Sequence, residues 1–135
     1  MHETKVFFDS NIVLYLLSAE PDKANRIEQL MESGGMISIQ VLNEITNVAR
    51  RKLNMSWKNI KELLSVLRNI CQLAPFNIET HDKALQIAER YQLSVYDALI
   101  VSSALLGGSK ILYSEDMHSG LLIDKQLLVS NPFIN

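Results

Sequence analysis

Four acidic residues are spaced so that their carboxylates could meet in one site, although they are far apart in the sequence. They are Asp9, Glu44, Asp97 and Asp116. Asp9 and Asp116 follow short apolar runs that predict buried strands, and Glu44 and Asp97 lie near the starts of predicted helices. The carboxyl ends of parallel strands and the starts of the following helices share one edge of a sheet. We therefore expect the four side chains to converge there, where such sheets bind their ligands.

Carboxylates gathered in one pocket repel one another, and burial makes their charge more costly still. A divalent cation offsets this repulsion, and a ligand set made only of oxygens suits Mg²⁺ or Mn²⁺. Such an ion can lower the pKa of water and neutralise a phosphate under attack. The four acids therefore favour metal-assisted hydrolysis of phosphodiester bonds, with either one ion or two.

Each acid also has an interpretation that needs no metal. Asp9 could cap the helix that follows it, and Asp97 stands three residues after Ser94, as in a capping box. Glu44 could be a solvated helix residue, and Asp116 a turn former. Their expected position at one edge is what favours a common site.

Apolar runs and periodicity predict alternating strands and helices along the chain. The predicted strands are residues 6–8, 36–39, 73–78, 111–113 and 127–129. The predicted helices cover residues 12–17, a segment from Pro21 to the Gly34-Gly35 pair, residues 41–52, and three segments capped by Ser56, Thr80 and Ser94. This alternation predicts one α/β domain over residues 1–135, with three α/β/α layers and a mostly parallel sheet of about five strands.

Composition narrows the classes of protein that this chain can represent. The net charge of −2 excludes a polycation that coats nucleic acid, and the 47% hydrophobic content argues against disorder. The single cysteine, Cys71, excludes an internal disulfide and is expected in the core. No apolar run is long enough to span a membrane, and residues 1–5 show no signal peptide. We therefore expect a cytoplasmic protein that is not associated with a membrane.

Taken in order, the segments around the four acids resemble the PIN domain family, and in particular its VapC-type toxin ribonucleases. The matching segments are Val6-Phe7-Phe8-Asp9-Ser10-Asn11-Ile12, Ser38-Ile39-Gln40-Val41-Leu42-Asn43-Glu44-Ile45, Tyr96-Asp97-Ala98-Leu99-Ile100, Ile111-Leu112-Tyr113-Ser114-Glu115-Asp116-Met117 and Asn131-Pro132-Phe133. Each segment is short, but together and in order they cover nearly the whole chain. The resemblance implies a PIN-like three-layer fold.

The resemblance also implies a role for each acidic residue. Asp9 and Asp97 would be the principal metal ligands, with Asp116 completing the metal pocket. Glu44 would orient or deprotonate the attacking water, or bind the metal through a water. Three further residues would orient carboxylates or contact phosphate: Ser10, Asn11 and Ser114. The implied cofactor is Mg²⁺ or Mn²⁺.

The implied reaction is endonucleolytic hydrolysis of RNA, in which water attacks phosphorus and leaves a 5′-phosphate and a 3′-hydroxyl. The family commonly forms homodimers and is commonly silenced by a small antitoxin, whose arginine could compete with metal in the acidic pocket. Two alternatives are a non-catalytic PIN scaffold that binds RNA or a protein partner, and a phosphoryl-transfer domain. Asn11 argues against the second, because haloacid dehalogenase-type phosphatases carry an aspartate at that position.

Several other residues carry expectations of lesser weight. The basic residues from Arg50 to Lys61 are interpreted first as solvated helix residues, with phosphate contacts as the alternative. Trp57 is expected in core or dimer packing, although both Trp57 and Tyr15 could stack on bases. His81 and His118 are expected at the surface. The segment 123–126 lacks a glycine often seen in relatives, and Asp124 is left out of the site.

Overall fold

The computed structural model describes residues 5–134, so the expectation for the first four residues lies outside the described part of the chain. Within that part, the strands are β1 (Val6–Phe8), β2 (Met36–Ile37), β3 (Gln72–Leu73), β4 (Ile111–Tyr113), β5 (Leu122–Ile123) and β6 (Leu127–Ser130). The helices are α1 (Ser10–Val13), α2 (Pro21–Met31), α3 (Ile39–Arg51), α4 (Trp57–Ile70), α5 (Ile78–Tyr91) and α6 (Val95–Leu106), and a 3₁₀ helix (Leu14–Leu17) follows α1.

The strands form one sheet in the order β3-β2-β1-β4-β6-β5, with helices on both faces. Every pairing is parallel except that between β5 and β6. The predicted three-layer α/β fold with a mostly parallel sheet is confirmed. The sheet has six strands in the described residues rather than about five, because β5 adds an antiparallel edge strand.

Side-chain caps end two of the predicted strands earlier than their apolar residues suggest. The Ser38 hydroxyl accepts a hydrogen bond of 3.3 Å from the Val41 amide, so α3 begins at Ile39 and β2 stops at Ile37. Asn77 rather than Thr80 caps α5, and the two residues form a reciprocal capping box. The predicted strands at residues 36–39 and 73–78 are therefore too long.

The hairpin that joins β5 to β6 turns through two non-glycine residues with positive φ, Asp124 at 50° and Lys125 at 59°. Such a pair is typical of a type I′ turn. The Tyr91 hydroxyl donates to the Asp124 carboxylate at 3.1 Å and accepts from its backbone amide at 2.8 Å. Lys83 lies 3.3 Å from the same carboxylate. Asp124 therefore anchors the hairpin to α5.

The core lies between the sheet and its helices. Phe7 and Phe8 of β1 are fully buried, and α6 is buried along most of its length, as its continuous apolar run predicts. Cys71 is also buried as expected, and this burial raises the pKa of its thiol to about 11. Trp57 does not lie in the core, because 53% of its surface is exposed, and the expectation of dimer packing stays a prediction. Over residues 5–134, no helix combines the length and apolar character needed to cross a membrane.

Candidate active site

Asp9 and Ser114 lie side by side at the carboxyl ends of two neighbouring strands. Phe8 of β1 is paired in parallel with Tyr113 of β4, so the next residue of each strand leaves the sheet at the same edge. The Ser114 hydroxyl donates a hydrogen bond of 2.8 Å to Asp9 Oδ2. The fold thus joins two of the predicted site residues that are 105 positions apart.

The Asp9 carboxylate is buried, with 3% of the residue exposed, and accepts several hydrogen bonds. The Ser10 amide donates to Oδ1 at 2.7 Å, so Asp9 caps α1 as its simpler interpretation predicts. The Asn11 side-chain amide lies 3.3 Å from Oδ2. Capping and a place in the acidic cluster are therefore compatible roles for this residue.

Ser10 connects Asp9 with Glu44. Its hydroxyl lies 2.7 Å from Glu44 Oε1 and 3.4 Å from Asp9 Oδ1, so the shorter contact is the stronger hydrogen bond. The Gln40 side-chain amide reaches the other Glu44 oxygen at 3.4 Å. Glu44 is partly exposed on α3, so its carboxylate is fixed in direction while solvent still reaches the residue.

Asp97 and Asp116 belong to the acidic group through their charges, since that of Asp97 acts on Asp9 and that of Asp116 acts on Asp97. Asp97 lies in the first turn of α6, where its amide donates to the capping hydroxyl of Ser94 at 3.1 Å. Burial and then the charge of Asp116 raise the pKa of Asp97, with a smaller contribution from Glu44, while a hydrogen bond from Ser94 lowers it. Asp116 itself is exposed. We call these four residues, Asp9, Glu44, Asp97 and Asp116, the acidic site.

Burial raises the pKa of Asp9 to about 6, against the lowering effect of hydrogen bonds from Ser114 and Ser10. The charges of Glu44 and Asp97 raise it further. Across residues 5–134, no salt bridge joins a basic side chain to any member of the acidic site. The site therefore concentrates negative charge that the described side chains do not neutralise.

Five predicted site residues form one hydrogen-bonded group: Asp9, Ser10, Asn11, Glu44 and Ser114. Asp97 and Asp116 are coupled to this group through their charges. As the side chains stand, the described part of the chain holds no group of three His, Cys, Asp or Glu residues arranged to ligate a metal ion. His81 and His118 are exposed, as expected.

A further hydrogen-bonded chain beside the acidic site went largely unpredicted. The Glu115 amide donates to Asn11 Oδ1 at 3.2 Å, and hydrogen bonding to the Glu115 carboxylate raises the pKa of the Tyr15 hydroxyl. Lys23 Nζ lies 3.5 Å from that hydroxyl. Glu115 was detectable from its place between Ser114 and Asp116, whereas no local pattern pairs Tyr15 with Lys23. Tyr15 packs edge to face on Phe133, at 4.9 Å between ring centroids.

Comparison with solved structures places the same architecture in three proteins. A toxin–antitoxin complex from Klebsiella pneumoniae gives a TM-score of 0.73 at 18% identity, covering 96% of this chain and 98% of that one. Mycobacterium tuberculosis VapC20, described as a sarcin-ricin loop cleaving toxin, gives 0.68 at 18% identity, covering 83% and 90%. VapBC2 from Rickettsia felis, bound to a DNA fragment from its promoter, gives 0.63 at 20% identity, covering 95% and 98%. These likenesses establish the fold.

No curated protein matches the chain. The family model of the PIN domain matches residues 6–118, a span that includes all four members of the acidic site and most of the sheet. The resemblance of the acidic segments and the observed sheet order agree with that match. The chain belongs to the PIN domain family.

Proposed function

We propose that this protein is a divalent-metal-dependent endoribonuclease that hydrolyses RNA phosphodiester bonds with an activated water. The observation that carries the proposal is the buried Asp9 carboxylate, linked through Ser10 to Glu44 and coupled by charge to Asp97. A buried carboxyl beside further acids is costly to keep, and acids perturbed in this way cluster at functional sites. Membership of the PIN domain family supports the same chemistry.

The donor set fits Mg²⁺ or Mn²⁺, because every candidate ligand is a carboxylate oxygen and further acids add negative charge. Asp9, Asp97 and Asp116 would hold the ion. The described residues hold no three such side chains already arranged around an ion, and Mg²⁺ commonly takes one or two carboxylates together with several waters. When bound, such an ion would neutralise the phosphate and lower the pKa of water.

The remaining residues have roles that follow from their contacts. Glu44 would accept the proton of the attacking water, and Ser10 fixes its carboxylate at 2.7 Å. Ser114 and Asn11 hold the Asp9 carboxylate from a second direction. Water would attack phosphorus, the 3′ oxygen would leave with a proton, and the products would carry a 5′-phosphate and a 3′-hydroxyl.

The biological setting that we propose is that of a cytoplasmic toxin controlled by a small antitoxin, with the toxin forming a homodimer. One of the similar structures is described as a toxin–antitoxin complex, a second as a toxin that cleaves the sarcin-ricin loop, and a third as VapBC2 bound to promoter DNA. The unneutralised acidic site supports an antitoxin that inserts an arginine and so competes with metal.

Cleavage of a mixed pool of structured RNAs tests the activity. The purified protein is incubated with Mn²⁺ or Mg²⁺, or with excess EDTA, beside an Asp97→Asn variant. The exposed Asp82, on α5, gives a matched Asp82→Asn control. The proposal predicts metal-dependent cuts by the wild type and by Asp82→Asn, and none by Asp97→Asn.

Cuts that persist in EDTA, or that Asp97→Asn makes at the wild-type rate, would overturn this assignment. Complete absence of cutting, together with tight RNA binding, would favour the non-catalytic scaffold instead. Circular dichroism of each variant establishes that the fold survives the substitution.

A further inference from the structure

Trp57 and Arg50 form an exposed stacked pair at the junction of α3 and α4. The Arg50 guanidinium carbon lies 5.1 Å from the centre of the Trp57 ring, within the range of a cation–π contact. Arg50 Nη1 also donates to the Met55 carbonyl at 3.0 Å, which holds the guanidinium in place. The pair lies in a groove of about 430 Å³, which we call the α3 groove. Its lining residues are Asn43, Thr46, Asn47, Arg50, Arg51 and Trp57.

The α3 groove and Glu44 of the acidic site lie on the same helix, α3. Glu44, Asn47 and Arg51 are spaced by three and four residues on α3, so their side chains lie in one row. With a rise of 1.5 Å per residue, Arg51 lies roughly 10 Å along the axis from Glu44. At that distance, a single strand cut beside Glu44 can reach the Asn47 amide and the Arg51 guanidinium.

Positive charge is concentrated around the α3 groove in a protein whose net charge is −2. Five of its 13 basic residues lie between positions 50 and 61: Arg50, Arg51, Lys52, Lys58 and Lys61. The cations at the end of α3 suit the helix dipole, but Lys58 and Lys61 stand at the start of α4, where a dipole disfavours them. Helix stability therefore does not explain the second pair, and no salt bridge within residues 5–134 engages either lysine.

We propose that the α3 groove is a subsite for single-stranded RNA flanking the bond that the acidic site cuts, an inference that rests on the proposed function. Trp57 and the guanidinium planes supply stacking surfaces for unpaired bases, and the asparagine amides match base edges. Arg51, Lys58 and Lys61 neutralise phosphates. The five basic residues between positions 50 and 61 suit a polyanion better than an ordinary protein surface of mixed charge.

Binding measured without cleavage tests the subsite. The Asp97→Asn protein in EDTA is titrated into a short fluorescent single-stranded RNA of mixed sequence, and anisotropy is followed at several salt concentrations. Trp57→Ala, Trp57→Phe and Arg51→Ala are made in that background. Arg68→Ala is the matched control, since Arg68 is exposed at the other end of α4.

Trp57→Ala should weaken binding by about fivefold or more, with an unchanged salt dependence, because it removes stacking and no charge. Trp57→Phe should restore most of the affinity. Arg51→Ala should weaken binding and reduce the slope of log K against log salt by about 0.7, the value for one phosphate contact on a single strand. Arg68→Ala should bind like its parent.

If Trp57→Ala and Arg51→Ala both bind RNA as tightly as their Asp97→Asn parent, the subsite is overturned, even if the wild type cuts RNA with metal. A dimer that dissociates in Trp57→Ala during sedimentation, with RNA affinity unchanged, would assign the α3 groove to a protein interface instead. If these variants bind RNA more weakly but the wild-type protein never cuts RNA, the RNA-binding subsite is supported and only the proposed nuclease activity is overturned.

Discussion

Replacing Asp9 with asparagine should stabilise the metal-free protein at neutral pH, although it removes a central member of the acidic site. Burial, aided by the charges of Glu44 and Asp97, raises the pKa of Asp9 from 3.8 to about 6. The folded protein thus binds this proton more tightly than the unfolded chain, so stability falls as pH rises between roughly 4 and 6. Above that window the ionised carboxylate costs about 3 kcal/mol.

The substitution does not recover that whole amount, because asparagine changes the local hydrogen bonds. Its amide oxygen can still accept from the Ser10 amide, and the Ser114 hydroxyl can turn to accept from the new amide nitrogen. The Asn11 amide, 3.3 Å from Oδ2, then faces a donor and loses a bond of about 1 kcal/mol. We therefore expect a net gain of about 1–2 kcal/mol at pH 7.5, which becomes a loss of up to about 1 kcal/mol near pH 4 because only the bond loss remains there.

Urea unfolding in EDTA at intervals from pH 4 to pH 8 measures this difference, with Asp82→Asn as the exposed control. The Asp9→Asn protein should show a flatter pH dependence than the wild type, and the control should follow the wild type. If Asp9→Asn instead loses as much stability at pH 7.5 as it does at pH 4, the argument that a buried charge destabilises this site is refuted.

Three further outcomes follow from individual contacts. Ser114→Ala should destabilise the protein by about 1–3 kcal/mol at pH 7.5, which urea unfolding would detect. It should also raise the pKa of Asp9, which carboxyl NMR titration would detect. An unchanged pKa of Asp9 would contradict the 2.8 Å hydrogen bond from Ser114. Cys71 should resist thiol reagents at pH 8 until denaturant is added, because burial raises its pKa to about 11, and rapid labelling of the native protein would count against that burial. Asp124→Ala should lower the free energy of unfolding, measured by thermal melts, by about 1–2 kcal/mol, because it removes the hydrogen bond from the Tyr91 hydroxyl. An unchanged melting temperature would show that this bond does not stabilise the β5–β6 hairpin.

Strand ends next to capping residues were largely predictable, because both signals are local. The apolar run of β1 ends at Asp9 in the structure as in the sequence pattern. The apolar run from Met36 predicts a strand that is too long, since Ile39 is apolar but already belongs to α3, which Ser38 caps. Apolar character alone could not show which of two overlapping signals the backbone follows.

Features that depend on distant contacts could not be predicted in the same way. The turn at Asp124 and Lys125 has no glycine to mark it, and its anchor on Tyr91 lies 33 residues away. Trp57 follows the apolar spacing of α4, but as the first residue of that helix it is largely exposed and pairs with Arg50. Periodicity describes which face of a helix is apolar, and does not show how far along the helix the core extends.

For the acidic site, residue types were predictable and their connections were not. Their places after a predicted strand and near the start of a predicted helix single out Asp9 and Glu44 without a structure. The hydroxyl of Ser10 that joins them depends on how α3 packs against α1 across 34 residues. The chain from Asn11 through Glu115 to Tyr15 likewise joins segments about one hundred residues apart.

The most direct test of the account identifies the atom that attacks the RNA. Cleavage is carried out with Mn²⁺ in water enriched in ¹⁸O, and the fragment ends are analysed by mass spectrometry. We predict a 5′-phosphate that contains one ¹⁸O and a 3′-hydroxyl, because water oriented by Glu44 attacks phosphorus. Fragments that end in a 2′,3′-cyclic phosphate without ¹⁸O would show that the RNA's own 2′-hydroxyl is the nucleophile, and would contradict the role assigned to the acidic site.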